Sequence, residues 1–142
     1  MDRTFKTIIA DSQFLGKGNF GEVYGPFAWQ GKQCAIKRRV FDKRELNGQM
    51  QKEIYACSKW KSLNHRNLIM VFDAACDAHF NPPAMYIIME FAKGGSLEEA
   101  LKKLTSPLPI NVVKDWAKQI ACGMAFLHSN SIVHRDLKTA NS

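Results

Sequence analysis

Apolar and polar residues alternate in short stretches through the first part of the chain. One stretch covers residues 5–15, a second starts after Gly21, and a third is Gln33–Lys37. Two further apolar runs, Leu68–Val71 and Met85–Met89, are equally short. Runs of this length that are bounded by turn residues or polar residues are typical of strands, so the pattern predicts a hairpin followed by three more strands.

Residues 43–63 instead have a helical pattern. Their apolar positions recur at spacings of three and four: Met50, Ile54, Cys57, Trp60 and Leu63. This spacing places them on one helix face, and the polar segment Asn64–Asn67 ends the predicted helix. Pro26 lies inside the second predicted strand, where its missing N–H is tolerated only at an edge position or a bulge.

The pattern becomes helical throughout after residue 95. Ser96 and Glu99 have the spacing of a capping box, which predicts a short helix ending before Pro107. A longer helix is predicted over residues 111–128, with an apolar stripe at Val113, Trp116, Ala117, Ile120, Met124 and Leu127. A sheet with one helix, followed by helices, indicates an α+β fold.

Composition agrees with a folded domain, because 46% of the 142 residues are hydrophobic and 23% are charged. No apolar run approaches the roughly 18 residues of a membrane span, and the polar N-terminus has no signal-peptide core, so we expect a cytoplasmic protein without a membrane partner. The net charge of +7 is scattered along the chain. A basic nucleic-acid binder is therefore an alternative that rests on charge alone, and we expect no nucleic-acid partner.

Three glycines, Gly16, Gly18 and Gly21, form a G-x-G-x-x-G loop between the first two predicted strands. Glycines at this spacing let backbone amides approach phosphate oxygens without a Cβ clash. The same string opens dinucleotide-binding Rossmann folds, but there a helix follows at once and an acid comes about 20 residues later. Here a strand pattern follows and no acid stands near Cys34–Ile36, so the Rossmann interpretation fails.

Two further elements carry chemistry. Lys37 ends the Ala-Ile-Lys stretch of the third strand, 16 residues after Gly21, where its ammonium group could hold phosphates. The segment His134–Asn141 reads His-Arg-Asp-Leu-Lys-Thr-Ala-Asn. In it Asp136 can orient a hydroxyl and take its proton, Lys138 can neutralise a transferred phosphoryl group, and Asn141 can offer an oxygen to Mg²⁺.

These three elements in this order resemble the protein kinase catalytic domain, from about Phe14 to the last residue. The resemblance implies a protein-kinase-like α+β fold. The N-terminal lobe, an antiparallel sheet with one helix, would cover about residues 8–91. The hinge between the lobes would cover residues 90–95. Residues 96–142 would form the first helices of an incomplete α-helical C-terminal lobe, through the catalytic loop.

The resemblance also implies the site residues and the cofactors, ATP and Mg²⁺. The implied ATP-binding residues belong to the N-terminal lobe and the hinge: Leu15, Gly16, Gly18, Gly21, Val23, Ala35, Lys37, Met89, Glu90 and Ala92. Asp136 looks like the catalytic base, Lys138 and Lys37 like the lysines that hold phosphate oxygens, and Asn141 like a metal ligand. His134 is implied to be mainly structural.

The subgroup follows from two segments. Lys138 after His-Arg-Asp-Leu is the serine/threonine pattern. The stretch Val113–His128 is similar to the tyrosine-kinase-like group, especially the mixed-lineage and TGF-β-activated kinases that feed MAP kinase cascades. The resemblance therefore implies a serine/threonine kinase that transfers the γ-phosphoryl group of ATP to a protein hydroxyl. The implied substrate is a protein, such as a MAP kinase kinase.

One departure concerns the helix glutamate that pairs with the strand lysine in the family. Counted back without gaps from Asn64, its position falls on Ala56, one turn after Glu53. Either the helix carries about one extra turn and Glu53 pairs with Lys37, which we expect, or the pair is absent. Glu45 is a more distant candidate.

The second departure is the end of the sequence at Ser142, directly after Asn141. The family's Asp-Phe-Gly segment and activation loop are not in it. We therefore expect a fragment, by truncation, gene model or splicing, that transfers little or no phosphate by itself. The alternative is a pseudokinase-like module that binds nucleotide or a partner without catalysis.

Overall fold

The computed structural model describes residues 5–18, 21–42, 44, 48–77 and 82–142. The chain forms two compact units. The first comprises residues up to Asn64 together with Met70–Phe91, and the second comprises His65–Ile69 together with Ala92–Ser142. Residues 65–69 pack with the later helices of the second unit.

The first unit is an antiparallel sheet with helices. In the described residues five strands pair in the order β1-β2-β3-β5-β4. Their bounds are β1 Gln13–Gly18, β2 Gly21–Trp29, β3 Lys32–Val40, β4 Val71–Asp77 and β5 Ala84–Glu90. Helix α1 spans Phe5–Ala10 and helix α2 spans Gln49–Lys61. The antiparallel sheet and the helical second unit confirm the predicted α+β class.

The two faces of the sheet carry separate cores. One contains Ile8 of α1, Cys34 and Ile36 of β3, and Tyr86 and Ile88 of β5, all at most 2% exposed. The other contains Phe41, Met50 of α2 and Met85 of β5. Because successive strand residues point to opposite faces, β3 places Ile36 in the first core and its neighbours Ala35 and Lys37 on the α2 side.

The predicted strand over residues 5–15 is wrong in its first half. Residues 5–10 form α1, and the strand begins only at Gln13. The cause is packing on the sheet: Ile8 is 1% exposed, and the Phe5 ring stacks on Tyr86 with centroids 4.8 Å apart. A six-residue helix is too short to show a helical period, so its sequence could not reveal it.

Two other boundaries differ in detail. The strand predicted at Leu68–Val71 begins at Val71, because the preceding residues turn, with the Leu68 N–H donating to the His65 carbonyl oxygen at 3.0 Å. Helix α2 begins at Gln49 rather than residue 43, and the start of the prediction at residues 43 and 45–47 lies outside the described residues. At Pro26, for which the sequence left an edge position or a bulge open, the β2–β3 register shifts between Tyr24 and Phe27, as in a bulge.

The second unit consists mainly of helices α3 (Leu97–Lys102) and α4 (Ile110–Ser129), followed by a 3₁₀ turn at Thr139–Asn141. The Ser96 Oγ accepts a hydrogen bond from the Glu99 N–H at 3.2 Å, which confirms the predicted cap. Gly123 of α4 lies against the segment containing Asn67, where a Cβ would come within 2.9 Å of the Asn67 carbonyl oxygen. Among the described helices none is both long and apolar enough to cross a membrane.

Candidate active site

The β1–β2 hairpin carries the glycine motif, with Gly18 paired to Gly21. A Cβ added at Gly16 or at Gly18 would have no atom within 4 Å, so the backbone there is open to a ligand. Gly21 is different, because its φ is +124° and a Cβ would meet the carbonyl oxygen of Arg38. The first two glycines therefore leave room for a ligand, whereas Gly21 is required by packing against β3.

A polar cluster fixes this hairpin to β3, and the sequence analysis missed it. Glu22 accepts hydrogen bonds from Arg38 Nη2 at 2.5 Å and from the Tyr24 hydroxyl at 2.8 Å. Lys17 of β1 lies 3.9 Å from the same carboxylate. The hydrogen bonds from Arg38 and Tyr24 lower the pKa of Glu22. Glu22 and Arg38 are paired across neighbouring strands, and only the register of the sheet reveals that pairing.

Four of the predicted ATP-binding residues share one face of the sheet. Val23 is opposite Lys37 in the β2–β3 register, and Ala35 is opposite Met89 in the β3–β5 register. Directly paired residues project to the same side, and Ala35 and Lys37 are two residues apart, so the four side chains lie on the α2 side of the sheet. Leu15 of β1 is 40% exposed, at a register shift between Phe14 and Gly16.

Lys37 is half-buried on this face. Burial lowers the pKa of its ammonium group, and the nearby Arg39 guanidinium lowers it further, while Cys57 and Glu53 act in the opposite direction. A partly desolvated cation exerts a stronger field on an approaching anion than one in open water. The position and environment of Lys37 therefore suit it to hold phosphate oxygens.

Glu53, the residue predicted to pair with Lys37, forms an ion pair with Arg39 Nη1 in this structure. Its Oε1 also accepts a hydrogen bond from Gln49 Nε2 at 3.1 Å. Ala56, at the position reached by ungapped counting, is exposed, and Glu45 lies outside the described residues. The pairing of Glu53 with Lys37 stays a prediction, and Arg39 is a site residue that sequence reasoning missed.

A cavity of about 350 Å³ lies between α2 and the sheet. The charged residues that line it are Lys37, Arg39 and Glu53. The apolar residues Met85 and Ile87 and the Cys57 thiol also line it. Burial raises the pKa of the Cys57 thiol, so this group is held in its neutral form. Lys37, Arg39 and Glu53 thus border one shared space.

The predicted hinge residues take up defined backbone positions. The Glu90 N–H donates to the Met70 carbonyl oxygen at 2.9 Å, and the Glu90 carboxylate accepts from the Met70 N–H at 3.2 Å. In the second unit, the Ala92 carbonyl oxygen accepts from the Gly95 N–H at 3.1 Å in a tight turn. The proposed contacts of Glu90 and Ala92 with adenine stay predictions.

The segment His134–Asn141 brings three predicted residues together within the second unit. Asn141 Nδ2 donates to the Asp136 carbonyl oxygen at 2.9 Å and to Asp136 Oδ2 at 3.0 Å. Lys138 Nζ lies 3.6 Å from the same Oδ2. His134 Nδ1 accepts from the Asp136 N–H at 3.3 Å. The loop therefore presents a carboxylate, an ammonium group and an amide side by side.

The backbone of this loop is strained at Arg135, whose φ is +67°. A non-glycine residue in the left-handed region costs of order 1 kcal/mol, and such residues cluster at functional sites. The strained residue, Arg135, thus lies directly before Asp136, the candidate base.

The donors of the loop fit a hard cation. The amide nitrogen of Asn141 donates to Asp136, so the side-chain carbonyl oxygen of Asn141 is left to bind another group. Carbonyl and carboxylate oxygens are the ligands that Mg²⁺ prefers. Among the described residues no group of three or more His, Cys, Asp or Glu side chains forms a preassembled metal site. Any Mg²⁺ held here therefore depends on further oxygen ligands, and phosphates can supply them.

Comparison with known families gives one clear result. The family model for the protein kinase domain matches residues 9–142. The match includes the glycine loop, Lys37 and the segment from His134 to Asn141.

Individual relatives agree. The chain is 37% identical over 134 residues to a probable serine/threonine-protein kinase of Dictyostelium discoideum, which covers 92% of this chain and 14% of that protein. It is 33% identical over 133 residues to human mitogen-activated protein kinase kinase kinase 10, and the match covers 91% of this chain and 13% of that protein. Mitogen-activated protein kinase kinase kinase A of Dictyostelium discoideum is 34% identical over 134 residues, and the match covers 91% of this chain and 14% of that protein. The chain thus spans about one seventh of each relative's length.

Proposed function

The chain belongs to the protein kinase family, and from that premise we propose that it carries the ATP-binding and phosphotransfer residues of a protein serine/threonine kinase. The single observation that carries the proposal is the loop in which Asn141 and Lys138 both contact the carboxylate of Asp136. A carboxylate that is held by the Asn141 amide, with the Lys138 ammonium group beside it, suits transfer of a phosphoryl group to a hydroxyl.

In this proposal the first unit holds ATP. The open backbone at Gly16 and Gly18 admits phosphate oxygens to its amides, and Lys37 adds a fixed positive charge. Val23, Ala35 and Met89 supply an apolar face for adenine, with Leu15 and Glu90 as further contacts in this unit. Gly21 keeps the hairpin packed on β3.

The second unit supplies the catalytic groups. Asp136 orients the substrate hydroxyl and accepts its proton, while Lys138 stabilises negative charge on the phosphoryl group in transit. Asn141 would offer its side-chain oxygen to Mg²⁺, and that ion, when bound, would supply positive charge that offsets the charge of the phosphate oxygens. Catalysis then consists of positioning and electrostatic stabilisation.

The substrate is a protein. Two of the relatives are named mitogen-activated protein kinase kinase kinases, and we propose on this basis that the substrate is a MAP kinase kinase and that the setting is a MAP kinase cascade. A cytoplasmic location stays a prediction.

The first test is binding of Mg²⁺-ATP by isothermal titration calorimetry. Lys37→Met is expected to weaken binding at least tenfold, since a charge-assisted contact to phosphate contributes about 1.5–3 kcal/mol. Lys32→Met is the matched control, because Lys32 is an exposed lysine at the start of the same strand; its affinity should stay within about twofold. Equal affinity of wild type and Lys37→Met would contradict the assignment of Lys37.

The second test is transfer of the γ-phosphoryl group from ATP to an unphosphorylated MAP kinase kinase by the protein that carries this sequence. Asp136→Asn should lower the rate about 10²- to 10⁴-fold with little change in nucleotide affinity. Asp115→Asn, at an exposed position of α4, is the control. Nucleotide binding without transfer would instead favour the pseudokinase-like module.

A further inference from the structure

Glu22 is the centre of a polar cluster that joins three strands. Its carboxylate accepts hydrogen bonds from Arg38 of β3 and Tyr24 of β2, at 2.5 and 2.8 Å. Lys17 of β1 lies 3.9 Å away. Glu22 and Arg38 are only 25% and 29% exposed, whereas Lys17 is 71% exposed, so the contact with Arg38 is the stronger of the two ion pairs. These four residues form the Glu22 cluster.

The Glu22 cluster lies on the face of the sheet opposite to Lys37. Glu22 is paired with Arg38 in the β2–β3 register, and Val23 is paired with Lys37. Because successive strand residues point to opposite faces, Val23 and Lys37 lie on the α2 side and the Glu22 cluster lies on the other. A contact made by Glu22 therefore affects a ligand beside Lys37 only through the backbone of the hairpin.

Strand β1 carries Gly16 and Gly18 and has few contacts of its own. Among the described strands it lies at the edge of the sheet, next to β2 alone. All of its residues except Gly16 are exposed to solvent. An edge strand with so little buried apolar surface opens locally at a low free energy. The position of its two glycines therefore depends on how firmly the hairpin is held to the rest of the sheet.

The glycine end of the hairpin contacts Arg38 in two ways. A Cβ added at Gly21 would meet the Arg38 carbonyl oxygen, so the two backbones are in close contact there. The carboxylate of Glu22, the next residue, accepts from the Arg38 guanidinium group. The ring of Tyr24, whose hydroxyl donates to Glu22, makes an edge contact with Phe14 of β1, with centroids 5.7 Å apart. Side-chain contacts thus connect β3 with β1 across β2.

We propose that Glu22 is a positioning residue that sets the affinity for the phosphates of a nucleotide. Through Arg38 and Tyr24 it holds the hairpin in the arrangement in which backbone amides near Gly16 and Gly18 face phosphate oxygens. This inference rests on the proposed role of the first unit in holding ATP. A site that is already in its bound arrangement loses less conformational entropy when the ligand arrives. Without the contacts of Glu22 a smaller fraction of molecules has the hairpin in place, and the apparent affinity falls by the same factor.

The test is the affinity of Glu22→Gln for Mg²⁺-ATP and for adenosine, measured by isothermal titration calorimetry. The expected result is about fivefold weaker binding of ATP, which corresponds to a hairpin in place in about one molecule in five. Adenosine has no phosphate, so its affinity should stay within about twofold of wild type. Electrostatics alone predicts tighter ATP binding, since the variant loses a negative charge near a polyanion site. A general loss of structure would instead weaken both ligands.

Asp73→Asn is the matched control. Asp73 of β4 forms an ion pair with Lys61 at 3.3 Å and is 44% exposed, so the variant removes the same charge from the same sheet. Its affinity for ATP should stay within about twofold of wild type. An equal loss of ATP affinity in Asp73→Asn and Glu22→Gln would show that the effect is not specific to the hairpin and would contradict the proposal.

A double variant separates the contact from the charges. Glu22→Gln combined with Arg38→Gln removes one charge of each sign, so electrostatics alone predicts an affinity near that of wild type. We expect it to bind ATP about as weakly as Glu22→Gln, because the contact is lost in both. It leaves neither partner as an unpaired charge, so it takes the place of Glu22→Gln if that variant does not fold. ATP binding that is unchanged or tighter in these folded variants, or an equal loss for adenosine, overturns the inference.

The two proposals fail in different ways. If the role of Lys37 in binding is wrong, Lys37→Met has no effect on affinity. If only the positioning role of Glu22 is wrong, Lys37→Met weakens ATP binding and Glu22→Gln does not.

Discussion

The two compact units hold their candidate functional residues by different means. In the first, residues distant in sequence pack on both faces of a sheet, and Ile36 and Ile88 are fully buried. In the second, Leu127 is the one buried apolar side chain among the residues that the structure describes. Its loop side chains contact one another within eight positions of the chain, from His134 to Asn141.

This difference matters for chemistry. A buried sheet can desolvate Lys37 and hold Glu53 on Arg39, because the surrounding packing limits where each side chain can lie. The loop combines local hydrogen bonds with an unusual backbone conformation, the positive φ of Arg135. The first unit thus sets the environment of its cation, whereas the second sets the spacing of its polar groups.

The largest expected effect comes from the core of the sheet. Ile36→Ala should lower the free energy of unfolding by about 2–5 kcal/mol, because Ile36 is fully buried and its truncation leaves a cavity. Ile110→Ala is the matched control in α4, where the side chain is 68% exposed, and it should stay within about 0.5 kcal/mol. Urea unfolding measures both. Similar costs for the two variants would break the contrast between the units.

A smaller effect separates two glycines that both have positive φ. Gly21→Ala should cost about 2–3 kcal/mol, since the new Cβ meets the rigid backbone carbonyl group of Arg38. Gly95→Ala should cost only about 1 kcal/mol, because its φ is +73° and the Cβ meets the carboxylate of Glu99, a side chain that can move aside. Thermal unfolding of both variants tests the order, and a larger cost at Gly95 would reverse it.

The smallest expected effect depends on pH. Glu22 has a pKa below its usual value near 4.5, so its contribution to stability is present above pH 4.5 and is lost as pH falls through the lowered pKa. Glu22→Gln should lower the free energy of unfolding at pH 7 by about 0.5–1 kcal/mol, and the difference from wild type should shrink below pH 4.5.

The control for this measurement is Glu98→Gln, which removes an exposed pair with Lys102 one helical turn away. It should change stability by only a few tenths of a kcal/mol at pH 7. Urea unfolding at pH 7, 5, 4 and 3 measures both variants. A constant difference between Glu22→Gln and wild type over that range would show that the Arg38 and Tyr24 hydrogen bonds do not act through the charge of Glu22.

Much of the candidate site could be predicted because its signals are local. The glycine spacing, the Ala-Ile-Lys stretch of β3 and the His134–Asn141 segment are each contiguous, and α4 shows its period over 20 residues. Helix α1 could not be predicted, because its six residues form a helix only against Tyr86 and the sheet. The Glu22 cluster joins neighbouring strands, so it required the register of the sheet.

By itself the sequence determined the kinds of groups at the site and the order of the elements that carry them. Periodicity, helix caps and glycine spacing each involve only a few consecutive residues, so the amino-acid sequence reveals them directly. Only the tertiary structure decided which partner each charged group takes. Glu53 pairs with Arg39 of β3, and that pairing depends on the rotation of α2, the contact of Arg39 with the Phe41 ring and the depth of burial. Those quantities exist only once distant residues are packed together.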